Sequence, residues 1–207
     1  MNKTDVIKKI RSIEWPMFSS AQNIGGRASC QDNEETFRIM RSSQFESWSE
    51  ATLKSYLNDL DEAKEEGRNL LAEKYARMMK STSPAEYLKL EHMIPQLSSE
   101  VSSFIDKIAE IETEWQIEFS EKFPNLIGRG RPIRSSQDTP FSASFETYLR
   151  GELSTYSGRT LELYYEDILR SKSKQVNKSE IVYGIMMKKY GYRSLREAEK
   201  AIERNIV

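Results

Sequence analysis

Apolar positions recur along nearly the whole chain with a spacing of three and four, the signature of helices that each bury one face. Behind Thr4, read as an N-cap, Val6, Ile10, Ile13 and Met17 form the first stripe, and Pro16 within it predicts a kink or an end. A second helix is predicted from Asn33, with Glu34 and Glu35 favourably placed in its first turn and Phe37, Met40 and Trp48 along it. The longest stripe runs from about Glu50 to Met79 behind Ser49, through Leu53, Leu57, Leu60, Leu71 and Met78. Gly67 interrupts it at a cost of about 1 kcal/mol relative to alanine, which predicts a close helix crossing there. Ser83-Pro84-Ala85-Glu86 reads as a capping box opening a short helix that Pro95 ends. From Ser98, Val101, Ile105, Ile108, Trp115, Phe119 and Phe123 mark a long helix stopped by Pro124. Phe141, Phe145, Tyr148, Leu149 and Tyr156 mark another, then Leu161, Tyr164, Ile168 and Leu169. Ile181, Ile185 and Met186 precede Tyr190-Gly191, a glycine C-terminus, and Ser194-Leu195-Arg196-Glu197 opens the last helix. No segment alternates at period two between turn signals. The pattern predicts an all-α single domain over residues 1–207, a bundle of about seven to nine helices.

Some charged residues fall in register with these stripes. Glu112 shares the row of Ile105, Ile108 and Trp115, and Glu118 that of Ile108, Ile111 and Trp115. Glu152 continues Phe145, Tyr148 and Leu149, while Lys64 and Lys74 interrupt Leu60, Leu71 and Met78. A buried charge costs several kcal/mol unless it is paired, so these residues are expected to meet one another or a loop arginine. Three readings compete: structural ion pairs at helix crossings, a ligand pocket with a carboxylate as general base, and a carboxylate di-metal centre. The last is the weakest, because the usual Glu-x-x-His pairs are missing.

Two polar loops exceed what a plain bundle needs. The first holds Gly25-Gly26-Arg27-Ala28-Ser29-Cys30-Gln31-Asp32, where the glycines permit positive φ and the exposed amides with Arg27 suit a carboxylate or phosphate. Against this stands an ordinary turn whose Arg27 neutralises a carboxylate. Cys30 is expected as a small buried cysteine, since the single histidine, His92, has no evident reason to lie near it. The second loop, Pro124 to Pro140, carries Gly128-Arg129-Gly130-Arg131-Pro132 and Asp138. Its Arg-Gly-Arg-Pro core resembles a minor-groove hook, but such hooks belong in basic flexible tails. Two guanidiniums on a glycine-proline frame suit an anionic small molecule better, or bridge carboxylates of neighbouring helices.

Bulk properties narrow the classes. Lys+Arg (31) and Asp+Glu (32) nearly cancel, so no basic field draws nucleic acid, and a nucleic-acid partner is not expected. The absence of an apolar run of about 18 residues predicts no membrane span. The start of the chain lacks an apolar secretory segment, and one cysteine with one histidine supplies neither a disulfide nor a conventional zinc site. A cytoplasmic setting is expected, and the sequence specifies neither cofactor nor oligomeric state.

Four strings carry a further likeness: Asn23-Ile24-Gly25-Gly26-Arg27-Ala28-Ser29-Cys30-Gln31; Gly67-Arg68-Asn69-Leu70-Leu71 with Glu73-Lys74-Tyr75-Ala76-Arg77-Met78-Met79; Gly128-Arg129-Gly130-Arg131-Pro132; and Ser144-Phe145-Glu146-Thr147-Tyr148-Leu149-Arg150-Gly151-Glu152-Leu153. Together they resemble a bacterial family, domain-of-unknown-function family 4125, over nearly the whole chain. Pro16 departs from that resemblance, which implies a helix former in the first helix. The resemblance implies that members stand alone or joined to a nucleotidyltransferase-like domain, hence a nucleotidyltransferase-like partner; no such domain is expected within these 207 residues. It carries no activity to transfer.

The residues therefore point to a pocket between helices that binds or processes an anionic small molecule. Gly26, Arg27, Asp32, Arg129 and Arg131 are the expected ligand-binding residues, Asp32 and Asp138 orienting the arginines or accepting protons. Glu118 or Glu152 is the expected inner carboxylate, with Asp138 beside them as a catalytic candidate. The alternative is a non-enzymatic helical module that docks a protein through an exposed apolar patch.

Overall fold

The computed structural model of the protein describes residues 1–22, 26–128 and 130–204. Eleven α-helices occur among them: α1 (Lys3–Ser19), α2 (Glu34–Glu46), α3 (Glu50–Glu65), α4 (Leu70–Thr82), α5 (Pro84–Leu90), α6 (Ser99–Lys122), α7 (Pro124–Gly128), α8 (Phe145–Leu153), α9 (Gly158–Ser173), α10 (Lys178–Lys189) and α11 (Leu195–Arg204). An isolated antiparallel bridge, Thr139 to Ser142, interrupts the last long loop, and no strand forms among the described residues. The all-α architecture is as the apolar periodicity requires.

Small polar residues start most of these helices, each side-chain oxygen accepting an amide that has no partner within the helix. Asn33 accepts from Thr36 N (2.9 Å), Ser49 from Thr52 N (3.2 Å), Asn69 from Ala72 N (2.9 Å) and Ser98 from Val101 N (3.2 Å). Ser144 and Ser157 do the same for α8 and α9, and Ser194 accepts from Glu197 N at 3.2 Å. The first cap is Asn2, which accepts from Asp5 N at 3.0 Å, so Thr4 lies inside the helix it was expected to cap. Helix α1 runs through Pro16 and ends at Ser19, where the Ser20 hydroxyl donates to the Pro16 carbonyl (2.6 Å). Ser83 precedes Pro84 at the first position of α5 as expected, but its side chain makes no capping bond.

The stripe from Glu50 to Met79 proves to be two helices. Gly67 takes φ +70°, its amide donates to Lys64 O (3.2 Å) and that of Arg68 to Ala63 O (2.8 Å). These two bonds and a left-handed residue terminate α3, so Gly67 is a helix stop and not a crossing point. The close crossing lies at Gly151 instead: a Cβ there would stand 2.8 Å from Met78 Cγ and 3.0 Å from the Lys74 carbonyl oxygen. Glycine lets α8 lie directly against α4. Phe141, expected within a helix, sits in the turn at Thr139–Ser142 and is 99% exposed.

Helix α1 packs on α2, α3 and α4; α9 packs on α3 and α6; α8 is held between α4 and α6. The core joins Val6, Ile10, Phe45, Leu53, Leu60, Ile108, Leu161 and Ile168, all fully buried. Trp48, Tyr56, Tyr156 and Tyr164 stack edge-on or tilted beside them, with ring centroids 4.7 to 5.9 Å apart. No described helix is long and apolar enough to cross a membrane.

Candidate functional site

Where α1, α2, α4 and α8 converge, the core turns polar. Glu14 is fully buried, Lys74 is 1% exposed, Glu152 5% and Arg41 8%. Arg41 sits between the two carboxylates: its Nε donates to Glu14 Oε2 (2.9 Å), its Nη2 to Glu14 Oε1, and its Nη1 to Glu152 Oε1 (2.7 Å) and Gln44 Oε1 (2.7 Å). Lys74 Nζ donates to Glu152 Oε2 at 2.6 Å. Tyr56 and Tyr156 complete the set, donating to Glu14 Oε1 (2.7 Å) and Glu152 Oε1 (2.8 Å). Two carboxylates thus face two cations, and the group is electrically balanced.

Electrostatics follow from that balance. Burial on its own would raise the Glu152 carboxyl, but Arg41 and Lys74 hold it well below the ordinary carboxylate range. Burial and the nearby carboxylates push both Tyr56 and Tyr156 well above the ordinary phenol value, so they remain donors. Arg41, Gln44 and Tyr156 donate to Glu152 Oε1 and Lys74 to Oε2. The two oxygens thus hold Arg41 and Lys74 together.

Above this network opens a cavity of about 520 Å³. Phe18, Phe37, Met40, Leu71, Tyr75, Met78 and Tyr148 form its apolar walls. Arg27, Arg41, Lys74 and Arg131 line it too, and no carboxylate does among the described residues. Arg27 and Arg131, on loops far apart in the sequence, therefore reach one cavity. Tyr148 joins floor to rim: Lys74 Nζ lies 3.4 Å and Arg131 Cζ 4.4 Å from its ring centroid. Burial works to raise the Tyr148 phenol, yet Lys74 draws it below the ordinary value. Cys30, expected to be buried, is exposed on the rim. Its neighbours from Gly26 to Ser29 are exposed as well, so no packed surface meets its thiol there.

The sequence profile of the family described as protein of unknown function (DUF4125) matches residues 4–200. The chain belongs to family 4125. No curated protein and no solved structure matches it.

In this family 4125 chain the residues singled out from sequence divide sharply. Gly26 (φ +85°) and Arg27 lie on the rim, but Arg27 is largely spent on its own loop. Its Nε and Nη2 donate to Asp32 Oδ1 (2.9 and 2.7 Å), Nη1 to Ser19 O (2.6 Å) and Nη2 to Gln31 O (3.1 Å). Asp32 pairs with Arg27 through this contact. Arg131 donates Nη1 to Ala143 O (3.1 Å) and lines the cavity. Arg129 lies outside the described residues, as do Asn23, Ile24 and Gly25.

Asp138 is drawn away from the arginines. It accepts from Ser144 N (2.6 Å), Thr147 Oγ1 (2.5 Å) and the Ser81 hydroxyl, binding the entry of α8 to α4. Burial raises its carboxyl, and these hydrogen bonds more than reverse that, leaving it below the usual value. Glu118 is exposed on α6, where it accepts from Asn177 Nδ2 (3.0 Å) and borders a separate surface depression. It does not reach the cavity, because the inward row of α6 at that level passes through Trp115, Gln116 and Phe119. Glu112 points inward to accept from the Tyr164 hydroxyl, whereas Lys64 is exposed. Among the described residues, no group of three or more His, Cys, Asp or Glu could hold a metal ion.

Sequence reasoning missed Glu14, Arg41, Tyr56 and Gln44. A signal was present for two of them. Glu14 stands in the row Ile7, Ile10, Met17, and Arg41 lies midway between Phe37 and Phe45 at spacings of four.

Proposed function

We propose that this chain binds an anionic small molecule with an apolar body in the cavity among α1, α2, α4 and α8, the Arg27 and Arg131 loops forming its rim. One observation carries the reading: four cationic side chains and an apolar wall line the cavity, with no described carboxylate among them. Such a lining favours an anion while giving its carbon skeleton a dry surface. Arg131 and Lys74 are the anion's contacts. Arg27, clamped by Asp32, shapes the rim, and Glu152 keeps Lys74 in place beneath Tyr148.

A thermal-shift panel of carboxylates, sulfates and phosphates, each beside its neutral amide or alcohol, tests this. At least one anion should raise Tm by mass action, and Arg131→Ala should reduce that rise. A panel in which no anion outperforms its neutral analogue refutes the reading. A second reading, a helical module that docks a protein, draws on exposed Leu88, Met93 and Phe141 and on Arg27 satisfying loop carbonyls. It predicts no anion response at all.

A further inference from the structure

Tyr148 differs from the other tyrosines of the core in what surrounds it. Tyr56, Tyr156 and Tyr164 each donate their hydroxyl to a buried carboxylate, Glu14, Glu152 and Glu112 in turn. Burial and those carboxylates push all three phenols well up and keep them as donors. Tyr148 stands in the cavity wall among cations instead: Lys74 Nζ is 3.4 Å and Arg131 Cζ 4.4 Å from its ring centroid. From α4, Lys74 and the hydroxyl of Tyr75, itself kept protonated by burial, both favour an ionised oxygen on Tyr148. Glu152, on its own helix, opposes this less strongly than Lys74 promotes it. Arg41 from α2, with Arg27 and Cys30 on the rim, completes the titratable groups around the cavity among the described residues. Of the tyrosines whose phenol is shifted, Tyr148 alone is drawn down.

We infer that Tyr148 is the reactive group of this cavity, the oxygen that exchanges a proton with a ligand bound there. A tyrosine serves as general acid or base where its surroundings bring the charged form within reach, and such surroundings concentrate at functional sites. The step is a transfer. A C–H or O–H bond of the ligand breaks, its electron pair stays on the ligand, and the proton joins Tyr148 Oη. Lys74 and Arg131 hold the anionic group on the proposed reading, so the same cations place a ligand beside the ring and favour its ionised form. The exchange rests on the cavity holding a ligand. The reactivity of the phenol does not, and it is measured on the protein alone.

Two measurements on the full chain decide the matter. In a near-ultraviolet pH titration of the ten tyrosines, one step should precede the rest, and Tyr148→Phe, which removes only the oxygen, should delete it. Lys74→Met/Glu152→Gln should move that step upward, because Lys74 acts on the oxygen more strongly than Glu152 does. N-acetylimidazole then reports reactivity: the phenolate attacks the acetyl carbon, the C–N bond breaks, and imidazole leaves after taking a proton from water. Peptide mapping should find Tyr148 acetylated on the order of tenfold faster than Tyr190, although Tyr190 is 44% exposed and Tyr148 half-buried. No early step, or an early step that survives in Tyr148→Phe, overturns the inference, and so does acetylation of Tyr190 ahead of Tyr148. An unmoved step in the double variant overturns Lys74 as its source. An anion panel without response sinks the binding site and the exchange with it, while leaving a reactive Tyr148 standing, so the two readings fail separately.

Discussion

Glu152→Gln removes one of the two negative charges that oppose Arg41 and Lys74 in the core. The remaining sum is two cations against Glu14, an uncompensated positive charge among groups less than a tenth exposed. Breaking a buried pair this way typically costs about 3–5 kcal/mol. Lys74→Met leaves the opposite imbalance and should cost about 3 kcal/mol on the same grounds. The double variant restores balance, because Arg41 and Glu14 still pair at Nε–Oε2 2.9 Å. It should therefore lose less than the sum of the singles, with a coupling of roughly 3 kcal/mol. A Coulomb estimate of about 4 kcal/mol for unit charges 4 Å apart at an effective dielectric of about 20 agrees in size. Urea unfolding at neutral pH, followed by fluorescence of the three tryptophans, measures all four corners of the cycle. A coupling under about 0.5 kcal/mol would show that the singles lose packing alone, and the charge argument would fail. The acid limb supplies a second check. Glu152 is depressed in the folded state, so its contribution is complete above the unfolded value near 4.3 and fades as pH falls below it. Wild type and Glu152→Gln should converge in acid.

Gly151→Ala should lower stability by about 1–3 kcal/mol, despite a helix-propensity gain of about 1 kcal/mol, because its Cβ meets the Lys74 carbonyl at 3.0 Å; an unchanged or raised Tm counts against a backbone-limited crossing. Lys178 opens α10, is 4% exposed, and its Nζ finds no hydrogen-bond acceptor among the described residues, lying over Tyr164 with Glu112 and Asp167 nearby. Burial lowers its pKa, so the folded state disfavours the ammonium below the folded value and regains parity as pH rises to about 10.4. Lys178→Met should raise the urea midpoint at neutral pH, by an amount that shrinks toward that pH; a lowered midpoint would mean the ammonium is well paired. Cys30 should react promptly with a disulfide reagent in the native state, and an anion that raises Tm in the thermal-shift panel should slow it several-fold; equal rates with and without that anion would place the ligand elsewhere.

Periodicity and caps made the helices legible, since both are local: a stripe repeats every three or four residues and a cap reaches three residues ahead. The same register rule marked Lys74 and Glu152 as inward charges. It says which way a side chain faces, not what it meets. Arg41 and Glu152 are 111 residues apart, so their pairing could not be read from either stripe. Glu118 shows the rule's limit. It lies in line with Ile111, itself only half-buried, on the margin of a 24-residue helix whose buried row has moved on to Phe119. Gly67 shows another: a glycine inside a continuous apolar pattern reads alike as a close contact or a stop, and only its φ separates them.

The position of Glu152 in the chain also bears on how the molecule is made. Glu14, Arg41 and Lys74 all precede it, the nearest by 78 residues. During synthesis from the N-terminus, those three emerge first and carry one more positive than negative charge. Collapse of α1, α2 and α4 onto one another at that stage would enclose the surplus. The nascent chain therefore has a built-in reason to stay open until α8 leaves the ribosome, and arrival of the last acid would be the event that lets the four helices lock.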